Sequence, residues 1–457
     1  MKNDLGKPKE RIEKKKIDAK CLYLNDLGEG VFKDGKGFGS ASNFLKGEKG
    51  VVEKVESFNR TRYRVIRRLS NASNRVDPKC GIYDKCGGCQ LLHMDYNSQM
   101  KFKYEYVVNA FKKYNLNSKI DEVIKASVLE RYRNKMQVAF SLYNGNIIYG
   151  FYEEDSHRII PLDDCLVQSV RQNEIAIAIA RIMKELHISP YNEDKRTGLI
   201  RFALIREAKV TKEVLVTIVT NTNIFPGKNE FINRLRKYCP YITTIIQNVN
   251  TRKTSIILGD EEHVMYGPGF INDELCGIKF QISSKTFYQV NPYQTENLYN
   301  KAIEYLELTG SELVLDAYCG VGTIGIICAP HAKEVIGVES NKQSVLNARN
   351  NAYSNNIKNI HFVNADATEY LTKNKDIKFD CVIMDPPRSG STVEFLNALL
   401  TIKPKKIVYV SCEAETLARD IKVLEDDYII AKKAIVDMFV GSYHIESICK
   451  LELKNNR

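Results

Sequence analysis

One thiol, two carboxylates and a glycine-rich turn are the residues of this chain best placed to do chemistry. Cys412 ends an apolar run, Lys-Ile-Val-Tyr-Val-Ser-Cys, just ahead of a helical pattern that begins around Glu413. A helix N-terminus favours the thiolate, the nucleophilic form of cysteine, although Glu413 and Glu415 oppose that effect. The same position suits a buried structural thiol. Glu446 opens an otherwise apolar strand-like segment near the C-terminus and reads either as a general base or as an ordinary strand-edge acid. The run Asp316-Ala-Tyr318-Cys-Gly320-Val-Gly322-Thr323 follows a strand and leads into an apolar helix. Its glycines let the backbone approach a ligand and leave the helix N-terminus free to face it. Glu339 ends the next strand, 19 residues beyond Gly320, where an acid can accept hydrogen bonds from ribose hydroxyls. That arrangement favours a nucleoside without a 2′-phosphate.

A second set of thiols is Cys80-x5-Cys86-Gly-Gly-Cys89, a dense array whose glycines permit the tight backbone of a metal site. Thiolates at this spacing suit zinc or an iron–sulfur cluster equally. The spacing is not that of the radical S-adenosylmethionine enzymes. Cys319, Cys328, Cys381 and Cys449 lie in apolar runs and read as buried small hydrophobes. With no export signal at its N-terminus, a chain with 12 cysteines is not expected to carry a disulfide framework, and a cytoplasmic location follows. No apolar stretch is long enough to span a bilayer.

These residues need elements to position them, and 457 residues imply two or three domains. Residues 17–68 read as short Gly-punctuated strands, suggesting a small barrel of the OB type. The segment from Tyr96 predicts an amphipathic helix with Met100, Tyr104, Val107, Val108 and Phe111 on its apolar face. Residues 120–280 mix strands and helices. From about residue 281 a regular βα alternation implies a doubly wound, mostly parallel sheet with ligand sites at the strand C-terminal ends. The net charge of +11 is uneven: Arg60, Arg62, Arg64, Arg67, Arg68 and Arg75, with Tyr63, form a basic run free of acids. Such a run reads as a phosphate-tracking strip on nucleic acid, or as a solvated strand face.

Asp366 and Asp385-Pro386-Pro387-Arg388 on the later strands resemble the third and fourth motifs of S-adenosylmethionine-dependent methyltransferases. Asp-Pro-Pro-Arg lacks the aromatic with which amino-nitrogen methyltransferases stack on their target. Carbon 5 of uracil is a poor nucleophile; a thiolate adding at carbon 6 makes it reactive, and a base then removes the carbon 5 proton. Ser411-Cys412 followed by Thr416-Leu417-Ala418-Arg419-Asp420 resembles the nucleophile motif of the TrmA/RumA family of RNA 5-methyluridine methyltransferases. Phe287-Tyr288-Gln289-Val290-Asn291-Pro292 resembles that family's cofactor-contacting segment, and Asp437-Met438-Phe439 with Glu446 its base segment. The Leu-Asn-Asp-Leu-Gly-Glu-Gly-Val run near the N-terminus resembles a TRAM domain, with which the family's ribosomal-RNA branch begins.

The resemblance implies Cys412 as nucleophile and Glu446 as base, with S-adenosylmethionine contacted by Gln289, Tyr318, Thr323, Glu339, Asp366 and Asp385. It implies a [4Fe-4S] cluster, with zinc as the alternative, on Cys80, Cys86, Cys89 and Cys165. The expected architecture is multidomain: a TRAM-like OB barrel at 1–75, an α+β central domain at 76–93 and 126–280, and a Rossmann-like α/β methyltransferase domain at 94–125 and 281–457. The expected partner is RNA, large-subunit ribosomal RNA ahead of transfer RNA, with neither DNA nor membrane, and the protein is expected to be monomeric. The chain departs from the family pattern beside both catalytic candidates, at Glu413-Ala414 and at Val440-Gly441-Ser442-Tyr443.

Overall fold

The computed structural model describes residues 16–55, 62–153, 158–254 and 256–454. They divide into two compact units, one reaching to Phe102 and including Gly441–Tyr443, the other comprising Lys103–Val440 and the residues from His444 onward.

The first unit is built on a six-stranded sheet in the order Lys16–Lys20, Lys49–Val55, Arg62–Arg68, Gly37–Ser42, Gly30–Asp34, Tyr23–Leu24. The two ends of that order are successive pieces of one run: Cys21 and Leu22 alone separate them, and Leu22 N–H donates to Val31 O at 2.8 Å. Its core gathers Ala19, Cys21, Phe32, Ala41, Phe44, Val52 and Tyr63. Phe32 meets Tyr63 edge-on with ring centroids 5.1 Å apart. A Cβ on Gly39 would come within 2.7 Å of the Tyr63 ring, so a residue without a side chain is needed there.

This packing corrects the arginine strip. Tyr63 is a core residue whose hydroxyl donates to Asp34, not a stacking platform. Arg75 and Arg68 are drawn inward by Glu48, which is fully buried and accepts from Arg75 Nη2 at 2.8 Å, with Arg68 Nε 3.5 Å away. Buried carboxylates need such partners, and here they consume two of the six arginines. Arg64 and Arg67 remain exposed; Arg60 and the Arg62 side chain lie outside the described residues.

The second unit holds two large sheets. The central one has seven strands in the order Ile159–Pro161, Asn146–Tyr152, Lys135–Tyr143, Ile200–Glu207, Val214–Thr220, Thr244–Val249, Glu261–Tyr266. Only the Val214–Thr220 and Thr244–Val249 pair is parallel. Helix Val170–Glu185 covers this sheet and starts with a capping box: Ser169 accepts from Gln172 N–H while the Gln172 side chain takes the Ser169 N–H. The second sheet has eight strands in the order Ile360–Asn364, Glu334–Glu339, Leu313–Ala317, Cys381–Met384, Lys406–Ser411, Glu446–Leu453, Tyr428–Val436, Glu122–Ile124. All neighbours are parallel except those of Glu446–Leu453, which runs against both. The Rossmann-like alternation expected beyond residue 281 is therefore present. One apolar cluster continues from Ala208, Leu215 and Ile246 to Val314, Val408 and Ile448, joining the two sheets through a shared core.

The Tyr96–Lys113 helix follows its predicted span, but not its predicted face. Tyr104 is 36% exposed, and Lys103 takes the fully buried position beside Met100, Val107 and Phe111. Lys103 is held there by Asp437 at 2.6 Å and by Phe439 O at 3.0 Å. A cation can occupy an apolar face when a buried carboxylate faces it, which hydrophobic periodicity cannot reveal. Among the described residues no helix is long and apolar enough to cross a membrane.

Candidate functional site

The parallel strands end along one edge of the eight-stranded sheet, and the singled-out acids follow them. Asp316 is the penultimate residue of the Leu313–Ala317 strand, and its Oδ2 accepts from Gly325 N–H at 2.8 Å. Burial, with Asp385 and Glu339 nearby, pushes its carboxyl up to about 7. The turn beyond it is left-handed at Tyr318, Gly320 and Gly322, with φ of 63°, 57° and 77°. A Cβ on Gly322 would reach within 2.6 Å of the Phe362 ring, so both φ and space demand glycine before the helix that begins at Thr323. Glu339 secures the turn from the next strand: Oε2 accepts from Gly320 N–H at 3.1 Å and Oε1 from Asn341 N–H at 2.7 Å.

Asp366 caps the Ala367–Lys373 helix, with Oδ1 accepting from Thr368 and Glu369 N–H groups. Tyr318 turns its hydroxyl to Ser391 Oγ, 2.8 Å away, and its ring to Phe395. Gln289 is half-buried, and its carbonyl accepts from Asn134 Nδ2 at 2.9 Å. Tyr318, Thr323, Glu339, Asp366 and Asp385 thus cluster around the ends of four adjoining strands, where an open α/β sheet binds ligands.

The antiparallel strand brings the two catalytic candidates to that edge. Ser411 pairs directly with Ser447, and Glu446 with Val436. Because Glu446–Leu453 runs against Lys406–Ser411, its first residue lies beside the last of its neighbour, and Glu446 reaches Cys412. Glu446 is buried; burial, reinforced by Asp385 and opposed by Arg388, pushes its carboxyl up to about 8. Cys412 is half-buried, and burial, Glu446 and Asp385 push its thiol up to about 11. Arg388 acts against that rise through its charge and a hydrogen bond to the thiol. The helix N-terminus favours the thiolate, but burial and the two acids work the other way and outweigh it. Desolvation also raises Asp385, to about 7.

Three residues around this pair carry weight that spacing alone did not reveal. Arg388 faces both candidates, and its Nη2 lies 3.4 Å from His444 Nε2. Burial and the cations Arg388, Lys103 and Arg133 lower His444 to about 4, so it is neutral at ordinary pH. Lys103, through Asp437 and Phe439, anchors the segment leading to His444 and Glu446. The loop bearing Arg388 is itself fastened to the helix that follows Cys412: Thr416 Oγ1 donates to Arg388 O, Arg419 Nη2 to Ser389 O, and Asp420 Oδ2 accepts Ser391 N–H.

The unusual residues have structural partners. Glu413 accepts from Tyr106 Oη, and Glu415 pairs with Lys113 at 3.0 Å. Val440 O accepts from Tyr132 Oη at 3.0 Å. In the first unit, Gly441 N–H donates to Gln99 Oε1 at 3.1 Å, and Gly441 O accepts from Leu91 N–H at 2.8 Å. Cys80, Cys86 and Cys89 occupy one loop of the first unit, and Cys165 belongs to the second. Burial and the neighbouring Cys80 raise the Cys86 thiol. Among the described residues no three histidines, cysteines or carboxylates are gathered as a metal-ligand set.

Residues 95–454 match the family described as tRNA (uracil-5-)-methyltransferase. An RNA methyltransferase of Clostridium tetani is 38% identical over 452 residues, covering 96% of this chain and 97% of its own. One of Halalkalibacterium halodurans is 39% identical over 397 residues, covering 86% and 87%. The crystal structure of Pyrococcus abyssi tRNA (uracil-54, C5)-methyltransferase, in complex with S-adenosyl-L-homocysteine, is 30% identical with a TM-score of 0.78, covering 95% of this chain and 100% of that one. The strand-end acids and the glycine turn thus stand in a chain that belongs to the tRNA (uracil-5-)-methyltransferase family and is an S-adenosylmethionine-dependent RNA uracil-C5 methyltransferase.

Proposed function

We propose that Cys412 is the nucleophile and Glu446 the base of uridine methylation. The observation that carries this reading is their meeting at one sheet edge with Arg388 acting on both. S-adenosylmethionine supplies the methyl group, held by Gln289, Tyr318, Thr323, Glu339, Asp366 and Asp385. Cys412 gives up its proton to solvent as the uridine enters, helped by the Arg388 charge, and its sulfur bonds to carbon 6 of the ring. The ring electrons this releases make carbon 5 nucleophilic, and carbon 5 takes the methyl group as its bond to the donor's sulfur breaks, leaving S-adenosylhomocysteine. Glu446, a strong base for a carboxylate because it is buried, accepts the carbon 5 proton. The carbon 6–sulfur bond then breaks and returns the thiolate.

The RNA proposed is large-subunit ribosomal RNA, with the 1–75 segment as a TRAM-like RNA-binding barrel. The Pyrococcus abyssi enzyme, which acts on transfer RNA, supports transfer RNA as the second reading. Cys80, Cys86, Cys89 and Cys165 are proposed to hold a [4Fe-4S] cluster, zinc being the alternative; the support is the Cys80-x5-Cys86-Gly-Gly-Cys89 spacing. The methylation uses no electron from it. Central and methyltransferase domains are proposed at 76–93 with 126–280 and at 94–125 with 281–457.

The test is Cys412→Ser. Methyl transfer should fall by at least about 10⁴-fold while S-adenosylhomocysteine binding stays within about twofold. RNA containing 5-fluorouridine should trap a covalent complex with the parent protein and none with the serine variant. A serine variant of full activity would rule out the adduct.

A further inference from the structure

Beside the reaction edge lies a group of cations that no carboxylate among the described residues pairs with. Lys135 and Arg206 face each other directly across the antiparallel pair of strands Lys135–Tyr143 and Ile200–Glu207. Like charges in that position repel, and they persist when an anion bridges them or another function requires them. Arg133 lies two residues before Lys135, across a bend at Asn134, and its charge acts on Lys135. Among the described residues none of the three takes part in an ion pair. Neighbouring acids are engaged elsewhere: Glu207 with Arg171 and Ser169, Asp164 with Arg131, Glu262 with Ser284 and Asn248. Nε of Arg133 and Nε of Arg206 are buried without a hydrogen-bond partner. Burial and the two arginines lower Lys135 to about 8, the direction an ammonium takes when cations surround it.

The position of the group identifies its ligand. Asn134, between Arg133 and Lys135, donates its N–H to Val290 O at 2.8 Å and its Nδ2 to Gln289 O at 2.9 Å. Arg206 Nη2 donates to Thr286 O at 2.5 Å. Arg206 and Asn134 therefore tie the strands that carry the cations to the 284–290 segment. The charge of Arg133 also reaches His444, which lies against Arg388, the partner of Cys412. An anion that must be brought to this edge along with a uracil ring is the phosphodiester of the same RNA strand.

We propose that Arg133 and Lys135 grip a backbone phosphate next to the uridine under attack, while the buried Arg206 adds positive potential and fixes the Thr286 carbonyl. The proposal takes RNA as substrate and is independent of the cysteine adduct, because it is read from binding alone.

The test titrates a fluorescent oligouridylate of about ten nucleotides across a potassium chloride series. Lys135→Gln and Arg133→Gln should each flatten the dependence of log affinity on log salt by about 0.7, the value of one lost single-strand phosphate contact. S-adenosylhomocysteine binding should be unchanged in both. Unchanged salt slopes would overturn the proposal. So would weaker S-adenosylhomocysteine binding with intact oligouridylate binding, which would reassign the cations to the cofactor. An experiment on the unaltered protein removes any dependence on variant folding. At pH 8 an amine acetylating reagent should label Lys135 readily, and oligouridylate, but not S-adenosylhomocysteine, should shield it. Equal labelling with and without oligouridylate would overturn the assignment.

Discussion

Glu48 in the first unit and Glu446 in the second are both buried glutamates, with relative exposures of 0% and 3%, yet their protons behave oppositely. Burial pushes Glu48 upward, but hydrogen bonds from Arg75 and from the Leu45 and Ala72 N–H groups overcome it and hold the carboxyl below its ordinary range. Glu446 has burial and a second acid, Asp385, against it, with only Arg388 in opposition, and rises to about 8. The difference lies in the donors each carboxylate meets. Glu48 is satisfied and ties strands and loops together. Glu446 is kept short of partners, which destabilises its charge and makes it a better base near neutral pH.

The sharpest way to break the comparison is Glu446→Gln. Methyl transfer in single turnover should fall by about 10²- to 10⁴-fold. The folded protein should nonetheless gain about 1–2 kcal/mol at pH 8. The sign follows from the raised folded value: stability from this group is fully present below the ordinary carboxylate range and is lost as pH rises toward about 8. Glutamine has no such loss, so denaturant melts should show the gain at pH 8 and none at pH 4.

Lys103→Met should follow in size. It leaves Asp437 charged and fully buried without its partner, a change worth about 3–5 kcal/mol of stability by urea unfolding. Glu48→Gln should cost about 3 kcal/mol in the first unit, since Arg75 loses its buried counter-charge, while leaving the transfer rate per folded molecule unchanged. Because the folded value of Glu48 is lowered, its contribution is present above the ordinary carboxylate range and is lost on acidification. The variant's stability should accordingly be less sensitive to acid than the parent's.

Arg388→Gln should give the smallest and most specific effect. Arg388 lowers both Cys412 and Glu446, so its loss should displace the alkaline rise of the pH–rate profile upward by about one pH unit. An unmoved profile would mean that Arg388 acts on neither group.

Much of this site was legible in the residues because local spacing reports local geometry. The βα alternation placed Asp316, Glu339, Asp366, Asp385 and Cys412 at strand ends, and the structure has them there. Spacing could not report partners distant in the chain. Lys103 reads as a surface residue until Asp437, on the far side of the fold in sequence, comes to meet it. Arg68 and Arg75 read as free cations until Glu48 claims them. Arg388, His444 and Arg133 carried no periodic signal, because their significance is a shared neighbourhood.

What the sequence by itself determined is the chemistry available: a thiol, a late carboxylate, a glycine turn followed by an acid, and the elements that carry them, since side-chain type and periodicity are local properties. What only the tertiary structure decided is which of these meet and in what protonation state. A single antiparallel strand, Glu446–Leu453, lays Glu446 beside Cys412. Burial at that edge then sets both protons, because desolvation depends on everything packed around a group and not on its neighbours in the chain.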